Sequence, residues 1–302
     1  PTVAAISGPT NDNTVAIAIT AATGSTVAVY ANGVLLGNAT EDGSTGNFAL
    51  TTAALVDGNY SVTATAADAV GNVSAAAAAQ SVRVDTLAPV APTITSGAIT
   101  NDTTPAITGT AEVGSTVKVY DGSTLIGTVV ATDGTWSVTP TTALTEGSRA
   151  ITATATDAAG NEGPAVAQTL VVDATAPTVV ITDNQGGTAT GEILYTFTFS
   201  EAVSGLSADD ITVSGGTKGQ LSQISDSVYQ LSVMPSANSQ GDVTVDVVGA
   251  VVVDAAGNAN TAATQSVQAF DRQAPEAPTV AAISGPTNDN TVAIAITAAT
   301  GS

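Results

Sequence analysis

The chain has no cysteine and no histidine, and only 3% of its 302 residues are aromatic. The missing cysteine excludes disulfide staples and thiolate metal sites. The missing histidine removes the usual general base, the Ser-His-Asp triad and most zinc or iron sites. Basic residues are scarce: 5 against 26 acidic ones, a net charge of −21. That balance excludes nucleic acid and anionic membrane as partners, because binding phosphate needs Lys and Arg. It favours solubility, self-repulsion and cation binding. No run approaches the roughly 20 apolar residues of a membrane span, and no stretch has the period of a long amphipathic helix. The first residue is Pro, with no starting Met and no signal peptide, so the sequence reads as an excerpt of something longer.

Chemical motifs are equally sparse. There is no Walker loop, EF-hand loop or nucleophile elbow. Paired carboxylates can hydrolyse glycosides, but the pairs recur along the chain as scaffolding would, and the aromatic platform of a sugar cleft is lacking. The expectation is a protein that is not an enzyme, with no catalytic residues. Asn38-Ala-Thr40, Asn59-Tyr-Ser61, Asn72-Val-Ser74 and Asn101-Asp-Thr103 fit the glycosylation pattern, which is short enough to arise by chance.

What is present is repetition. Pro1–Ser25 returns letter for letter as Pro278–Ser302, an offset of 277 residues. This marks a tandem array, of which the chain is one period plus the start of the next. Finer repeats lie inside the period. Gly24-Ser-Thr-Val-Ala-Val-Tyr30 matches Gly114-Ser-Thr-Val-Lys-Val-Tyr120, and Thr10-Asn-Asp12 matches Thr100-Asn-Asp102 and Thr287-Asn-Asp289. Asp68-Ala-Val-Gly-Asn72, Asp157-Ala-Ala-Gly-Asn161 and Asp254-Ala-Ala-Gly-Asn258 form a third set, and Asp85, Asp173 and Asp271 each stand four residues before an Ala-Pro or Pro. The expected units are 1–88, 89–176 and a longer, divergent 177–277. The stretch 278–302 then holds the first two strands of the next unit. Their net charges are −5, −6, −9 and −1, so acid is spread over every unit.

Hydrophobic residues make up 43% of the chain, mostly Ala and Val, which predicts thin cores. In the second unit, alternation and turn residues predict strands at 92–96, 106–111, 115–120, 125–131, 135–140, 149–156 and 166–173. Val117/Val119 and Ile151/Ala153/Ala155 are the clearest inward faces, and Trp136, the only tryptophan, is the expected core plug. In the third unit Tyr195, Phe197 and Phe199 share one face. Seven short strands in about 90 residues predict an all-β chain of tandem immunoglobulin-like sandwiches placed end to end.

These motifs, with Thr104-Pro-Ala-Ile-Thr-Gly-Thr110 and Ile151-Thr-Ala-Thr-Ala-Thr156, resemble the bacterial immunoglobulin-like repeats of giant biofilm-associated, Bap-like or RTX-type surface adhesins. Ser200-Glu-Ala-Val-Ser-Gly205 and Asp210-Ile-Thr-Val213 resemble a second repeat type of the same proteins. The resemblance covers essentially the whole chain. It implies a secreted or cell-surface adhesin exported by a type I system and stiffened by calcium between domains. A spacer that projects a distal binding domain is the first reading. The alternative is the structural subunit of an extracellular filament or matrix, built by lateral or strand-donating contacts. Partners are then neighbouring repeats or further copies.

Strand order gives a separate route to the calcium. Loops of a sandwich alternate between its two ends, so acids far apart in sequence are expected to meet at junctions. Asp12 and Asp85 of the first unit should face Glu112, Asp157 and Asn161 of the second. Asp102 and Asp173 should face Glu201, Asp254 and Asn258 of the third. Asp183 and Asp271 would meet the next copy. Asp68 and Asn72 lie at the outer pole of the first unit, where no Glu joins them. Clustered carboxylates repel unless a cation sits among them, and calcium takes six to eight hard oxygens. The competing reading is that Asp, Asn and Gly simply form turns, with Arg83 pairing Asp85 and Arg272 pairing Asp271. Asp121, Asp226, Asp242 and Asp246 are expected to be solvated, and Asp209 and Asp210 to lie in a surface turn.

Overall fold

A computed structural model describes residues 1–282, 285 and 293–298, so the Thr287-Asn-Asp289 repeat lies outside the described residues. The chain forms two compact bodies, Pro1–Val172 and Asp173–Ser302. Apart from one three-residue 3₁₀ turn, all regular structure among the described residues is β.

In the first body, strands β1 (Thr2–Val3), β2 (Ala16–Thr20), β3 (Thr26–Ala31), β4 (Val34–Glu41), β5 (Asn47–Thr51), β6 (Gly58–Ala67) and β7 (Gln80–Val84) run in the order β1-β2-β5-β4-β3-β6-β7. Strand β4 joins the two layers. It pairs with β3 along most of its length and then meets β5 through Thr40↔Ala49 and Glu41↔Phe48. Val27, Val29, Val62 and Val82 close the core between the layers with Ile17 and Ile19. Each buried Val or Ile stabilises by roughly 1.5–3 kcal/mol.

The same body then contains β8 (Thr93–Ile94), β9 (Ile99–Thr100), β10 (Ile107–Thr110), β11 (Thr116–Asp121), β12 (Thr124–Val130), β13 (Thr135–Val138), β14 (Gly147–Thr156) and β15 (Val166–Val172). One sheet is β13-β10-β8 and the other β12-β11-β14-β15-β9. The expected inward faces are the buried ones: Val117, Val119, Ile151, Ala153 and Ala155 form a core with Trp136. Trp136 stands opposite Gly109 on the neighbouring strand. A Cβ at Gly109 would lie 1.8 Å from the Thr93 carbonyl oxygen and 2.5 Å from the indole, so the glycine makes room for the ring.

Strand β9 departs from the sequence expectation. The first strand breaks after Ile94, and Ile99–Thr100 crosses to the other sheet to pair in parallel with Val171–Val172. Thr10 does the same against Val84, and Ala189 against Phe270. These segments are only one or two residues long, too short to show alternation.

The second body carries β16 (Val179–Asp183), β17 (Ile193–Phe199), the 3₁₀ turn Ala208–Asp210, β18 (Ile211–Ser214), β19 (Gly216–Ser225), β20 (Val228–Pro235), β21 (Gln240–Val247) and β22 (Ser266–Asp271). Its sheets are β16-β17-β20-β19 and β18-β21-β22. The long β19 thus lies in the sheet of the first strand. In the preceding domain β12 lies in the opposite sheet. Tyr195, Phe197 and Phe199 face one core with Tyr229 and Phe270. Phe199 and Tyr229 meet edge to face with centroids 6.0 Å apart, the geometry that aromatic quadrupoles favour. A last strand pair, β23 (Thr279–Val280) and β24 (Ile296–Thr297), follows.

Candidate metal centre

Each Asp-x-x-Gly-Asn loop closes on itself in the same way. Asp254 Oδ1 accepts the backbone N–H of Ala256 (2.8 Å) and of Asn258 (2.9 Å), and its Oδ2 accepts the Asn258 amide (2.8 Å). Asp157 repeats this with Ala159 and Asn161, and Asp68 with Val70 and Asn72. The turn needs a left-handed residue before Asn. Glycine fills that place at 71, 160 and 257, with φ of 94°, 95° and 92°.

The asparagine amide then reaches outward. Asn258 Nδ2 also donates to the Asp173 carbonyl at 2.7 Å, and Asn161 Nδ2 to the Asp85 carbonyl at 2.8 Å. Asparagine therefore serves both places first as a donor that holds a backbone carbonyl, leaving only its oxygen as a possible ligand. Asn72 shows only the bonds within its own loop.

In the second body three carboxylates come together. Ligand oxygens of Asp173, Glu201 and Asp254 lie within 4.8 Å of one another, the only such set among the described residues. Strand β15 ends at Val172, so Asp173 opens the segment leading into this domain. That segment is pinned along its length. Asn258 holds the Asp173 carbonyl, Thr261 N donates to the Pro177 carbonyl (2.9 Å), and Thr178 N donates to Ser200 Oγ (3.0 Å). Ser200 and Glu201 follow β17 directly, which places the Glu201 side chain beside the strapped segment.

The electrostatics are unbalanced. Burial, then the charges of Asp173 and Asp254, push the Glu201 carboxyl above its ordinary range. Burial opposes ionisation of Asp254 too. There the bonds from the Asn258 side chain and backbone, and from Ala256 and Gly257, outweigh it and hold the carboxyl low. The only bases of the second body's sequence are Lys218 and Arg272. Lys218 donates to the Ala208 carbonyl and Arg272 to the Pro235 carbonyl. No base is bonded to the cluster. Three acids with hard oxygens and no counter-ion suit a divalent cation, and all three residues can offer carboxylate oxygen to it.

The other expected ligands are placed differently. Asp85 gives Oδ2 to Arg83 at 2.8 Å. Its counterpart Asp173 has Val171 at that position and so keeps its carboxylate free of a base. Glu112, the counterpart of Glu201, is exposed. Asp12, Asp85, Glu112 and Asp157 therefore do not form a close carboxylate group. Asp12 and Asp102 fold back on their own turns, each Oδ1 accepting the N–H and hydroxyl of Thr14 or Thr104. Asp183 accepts Gln185 N (2.8 Å) and Asp271 accepts Gln273 N (2.9 Å). Asp271 is not paired with Arg272. Asp121, expected to be solvated, is instead nearly buried in an ion pair with Arg149. Asp246 has a buried Oδ1 rather than a solvated one. Asp210 takes the Ser207 N–H (2.8 Å) and hydroxyl (2.6 Å) in the 3₁₀ turn.

Comparisons with known proteins agree with the all-β architecture. One bacterial Ig-like domain family matches residues 4–86 and 93–174, and a second matches residues 173–270. No curated protein matches the chain. Among solved structures, it is similar to the fibronectin(III)-like modules of Clostridium thermocellum CbhA (18% identity, 56% of this chain and 93% of that one, TM-score 0.38). It is also similar to the ICAM-5 D1–D4 ectodomain fragment (15%, 88% and 74%, TM-score 0.37) and the human desmocollin-1 ectodomain (12%, 91% and 59%, TM-score 0.32). No helix among the described residues is long and apolar enough to cross a membrane. Domains of the matched families are usually extracellular or surface-associated structural modules, and with its matched segments covering most of its length this chain belongs to the bacterial Ig-like domain proteins.

Proposed function

We propose that the chain is an extension segment of a bacterial surface adhesin, a non-enzymatic spacer whose stiffness depends on calcium. The observation that carries this reading is the Asp173–Glu201–Asp254 cluster, three carboxylates within 4.8 Å in a body whose bases are bonded elsewhere. Calcium, when bound there, neutralises charges that otherwise repel. The chain's own residues do the positioning. Asn258 and Thr261 strap the entering segment, Ser200 ties it to the start of the Glu201 loop, and the Asp254 turn aims its carboxylate at the same place. A cation held by all three would lock the lead segment to two loops of the domain. Flexible or hydrated oxygen ligands of this kind suit calcium better than magnesium, which demands stricter geometry. A role in adhesion and biofilm, and export by a type I route, extend this proposal from the resemblance of the repeats.

Thermal unfolding of the whole chain in chelator, in magnesium and in calcium tests it. At calcium 100-fold above Kd, stabilisation should reach about 2.7 kcal/mol, which moves the Tm of a 100-residue domain by roughly 10 °C or more. Glu201→Gln should remove most of that rise. An equal rise in Glu201→Gln, or the same rise in sodium chloride of matched ionic strength, would overturn the assignment.

A further inference from the structure

Among the described residues, Lys118 is the one base with neither an ion pair nor a hydrogen bond. Arg83 pairs with Asp85 and Arg149 with Asp121, while Lys218 and Arg272 each donate to a backbone carbonyl. Lys118 stands in the middle of β11 between the core residues Val117 and Val119, so it lies on the outer side of its sheet, half-buried. Thr128 on β12 and Thr154 on β14 flank it. Strands β11, β12, β14 and β15 contain a single acid, Asp121, which Arg149 holds. The second body presents the opposite charge. Strand β21 turns Val243, Val245 and Val247 into the core, so Asp242, Thr244 and Asp246 face outward. Strands β18, β21 and β22 contain no base. Every other strand acid among the described residues, Glu41, Asp121, Asp183 or Asp271, is the last residue of its strand. Asp242 is exposed, and Asp246 has an enclosed Oδ1 that no hydrogen bond satisfies.

We infer that the outer face of β12-β11-β14-β15 docks on the outer face of β18-β21-β22 of a second copy of this chain, with Lys118 over Thr244 and between Asp242 and Asp246. Charge complementarity carries the argument. A net charge of −21 drives copies apart, so a lateral contact is confined to faces of opposite sign, and any pairing of acid with acid is disfavoured. Strand rise sets each aspartate roughly 7 Å along the strand from Thr244, within the span of a lysine side chain. Short side chains leave both faces flat enough to stack: Thr212 lies opposite Asp246, Val267 opposite Thr244 and Ala269 opposite Asp242. One exposed ion pair is a weak contact, and repetition along an array strengthens it by avidity. The two faces differ, so the contact is heterologous and leads to open, staggered arrays rather than closed dimers.

The test exchanges the charges in the full chain, in chelator so that the metal centre plays no part. Lys118→Glu makes both faces acidic, and Asp242→Lys with Asp246→Asn makes the second face basic. In sedimentation up to about 0.3 mM, a range suited to weak contacts, the parent should rise above its monomer mass of 29.2 kDa. It should fall back in salt of about 1 M, where screening shortens to roughly 3 Å. Each variant alone should stay monomeric, and an equimolar mixture should be heavier than either, because the acidified face of one meets the basic face of the other. Equal masses for the parent and Lys118→Glu, or a mixture no heavier than its components, would overturn the inference. A second measurement needs no substitution. Lys118 and Lys218 are the only lysines, so carbodiimide coupling of lysine to carboxylate gives few products. In a mixture of ¹⁵N-labelled and unlabelled parent, peptides joining Lys118 to Asp242 or Asp246 should carry one label of each kind, several-fold more often than links from Lys118 to loop acids. Links confined to single copies, or spread evenly over the acids, would also overturn it.

Discussion

Glu201 and Asp254 belong to one cluster but are pushed in opposite directions, because Asp254 is surrounded by donors and Glu201 by burial and two like charges. The sign has a consequence for the metal-free protein. A carboxyl whose folded pKa is raised contributes stability below its unfolded value and loses it as pH rises through the folded one. Glu201 therefore weakens the cation-free fold at neutral pH. Glu201→Gln should melt slightly higher than the parent in chelator at pH 7 and lower than it in saturating calcium. A reversal of order with calcium is the outcome to look for. Tyr195 makes a parallel case in the same domain. Its hydroxyl is buried without a partner, and burial, then Asp183, pushes its pKa up to about 12. Its contribution is complete below pH 10 and lost between pH 10 and 12. Tyr195→Phe should change neutral stability by less than about 1 kcal/mol and lessen the alkaline loss. Tyr229, raised by burial and then by Asp226, sustains the remainder. Melting curves from pH 8 to 12 check both halves.

At the scale of strands and loops, the sequence was informative where side chains repeat and silent where backbone alone decides. The strands of residues 107–156 follow from alternation, and the inward faces Val117/Val119 and Ile151/Ala153/Ala155 are the buried ones. The crossings at Thr10, Ile99 and Ala189 were not legible, since a parallel bridge of one or two residues leaves no period. The site was partly legible in the same sense. Asp173, Glu201 and Asp254 follow from loop polarity, but the difference from the first junction lies in one neighbour, Arg83 against Val171, and in the exposure of Glu112. Gly109 shows what a strand position can require of its neighbour. Gly109→Ala sets a methyl against the Thr93 carbonyl and the Trp136 ring. It should cost about 1–3 kcal/mol through displaced packing. Trp136 is the only tryptophan, so a fluorescence-detected denaturant midpoint reads this domain selectively, and an unchanged midpoint would contradict the tight contact.

At the scale of the whole chain, the three hydrophobic clusters have no member in common. Repeat proteins with separate cores gain stability as a sum of domain terms and neighbour terms rather than as one cooperative block. Within the first body few hydrogen bonds cross between the two sandwiches: Asn161 to the Asp85 carbonyl, and Asn11 N–H to the Ala159 carbonyl at 3.2 Å. A large core truncation should therefore stay local. Trp136→Ala removes the main aromatic filling of its domain, at a cost of about 3–5 kcal/mol. That is a large fraction of what a domain of about 90 residues has in total. Hydrogen exchange read segment by segment should lose roughly 10²- to 10³-fold of protection along β11 and β14, by the same free energy. Protection along β3 and β6 should fall much less, and along β17 and β21 it should hold. A uniform loss across all three cores would mean that the sandwiches unfold together, and the neighbour terms would then have to be far stronger than these two bonds supply.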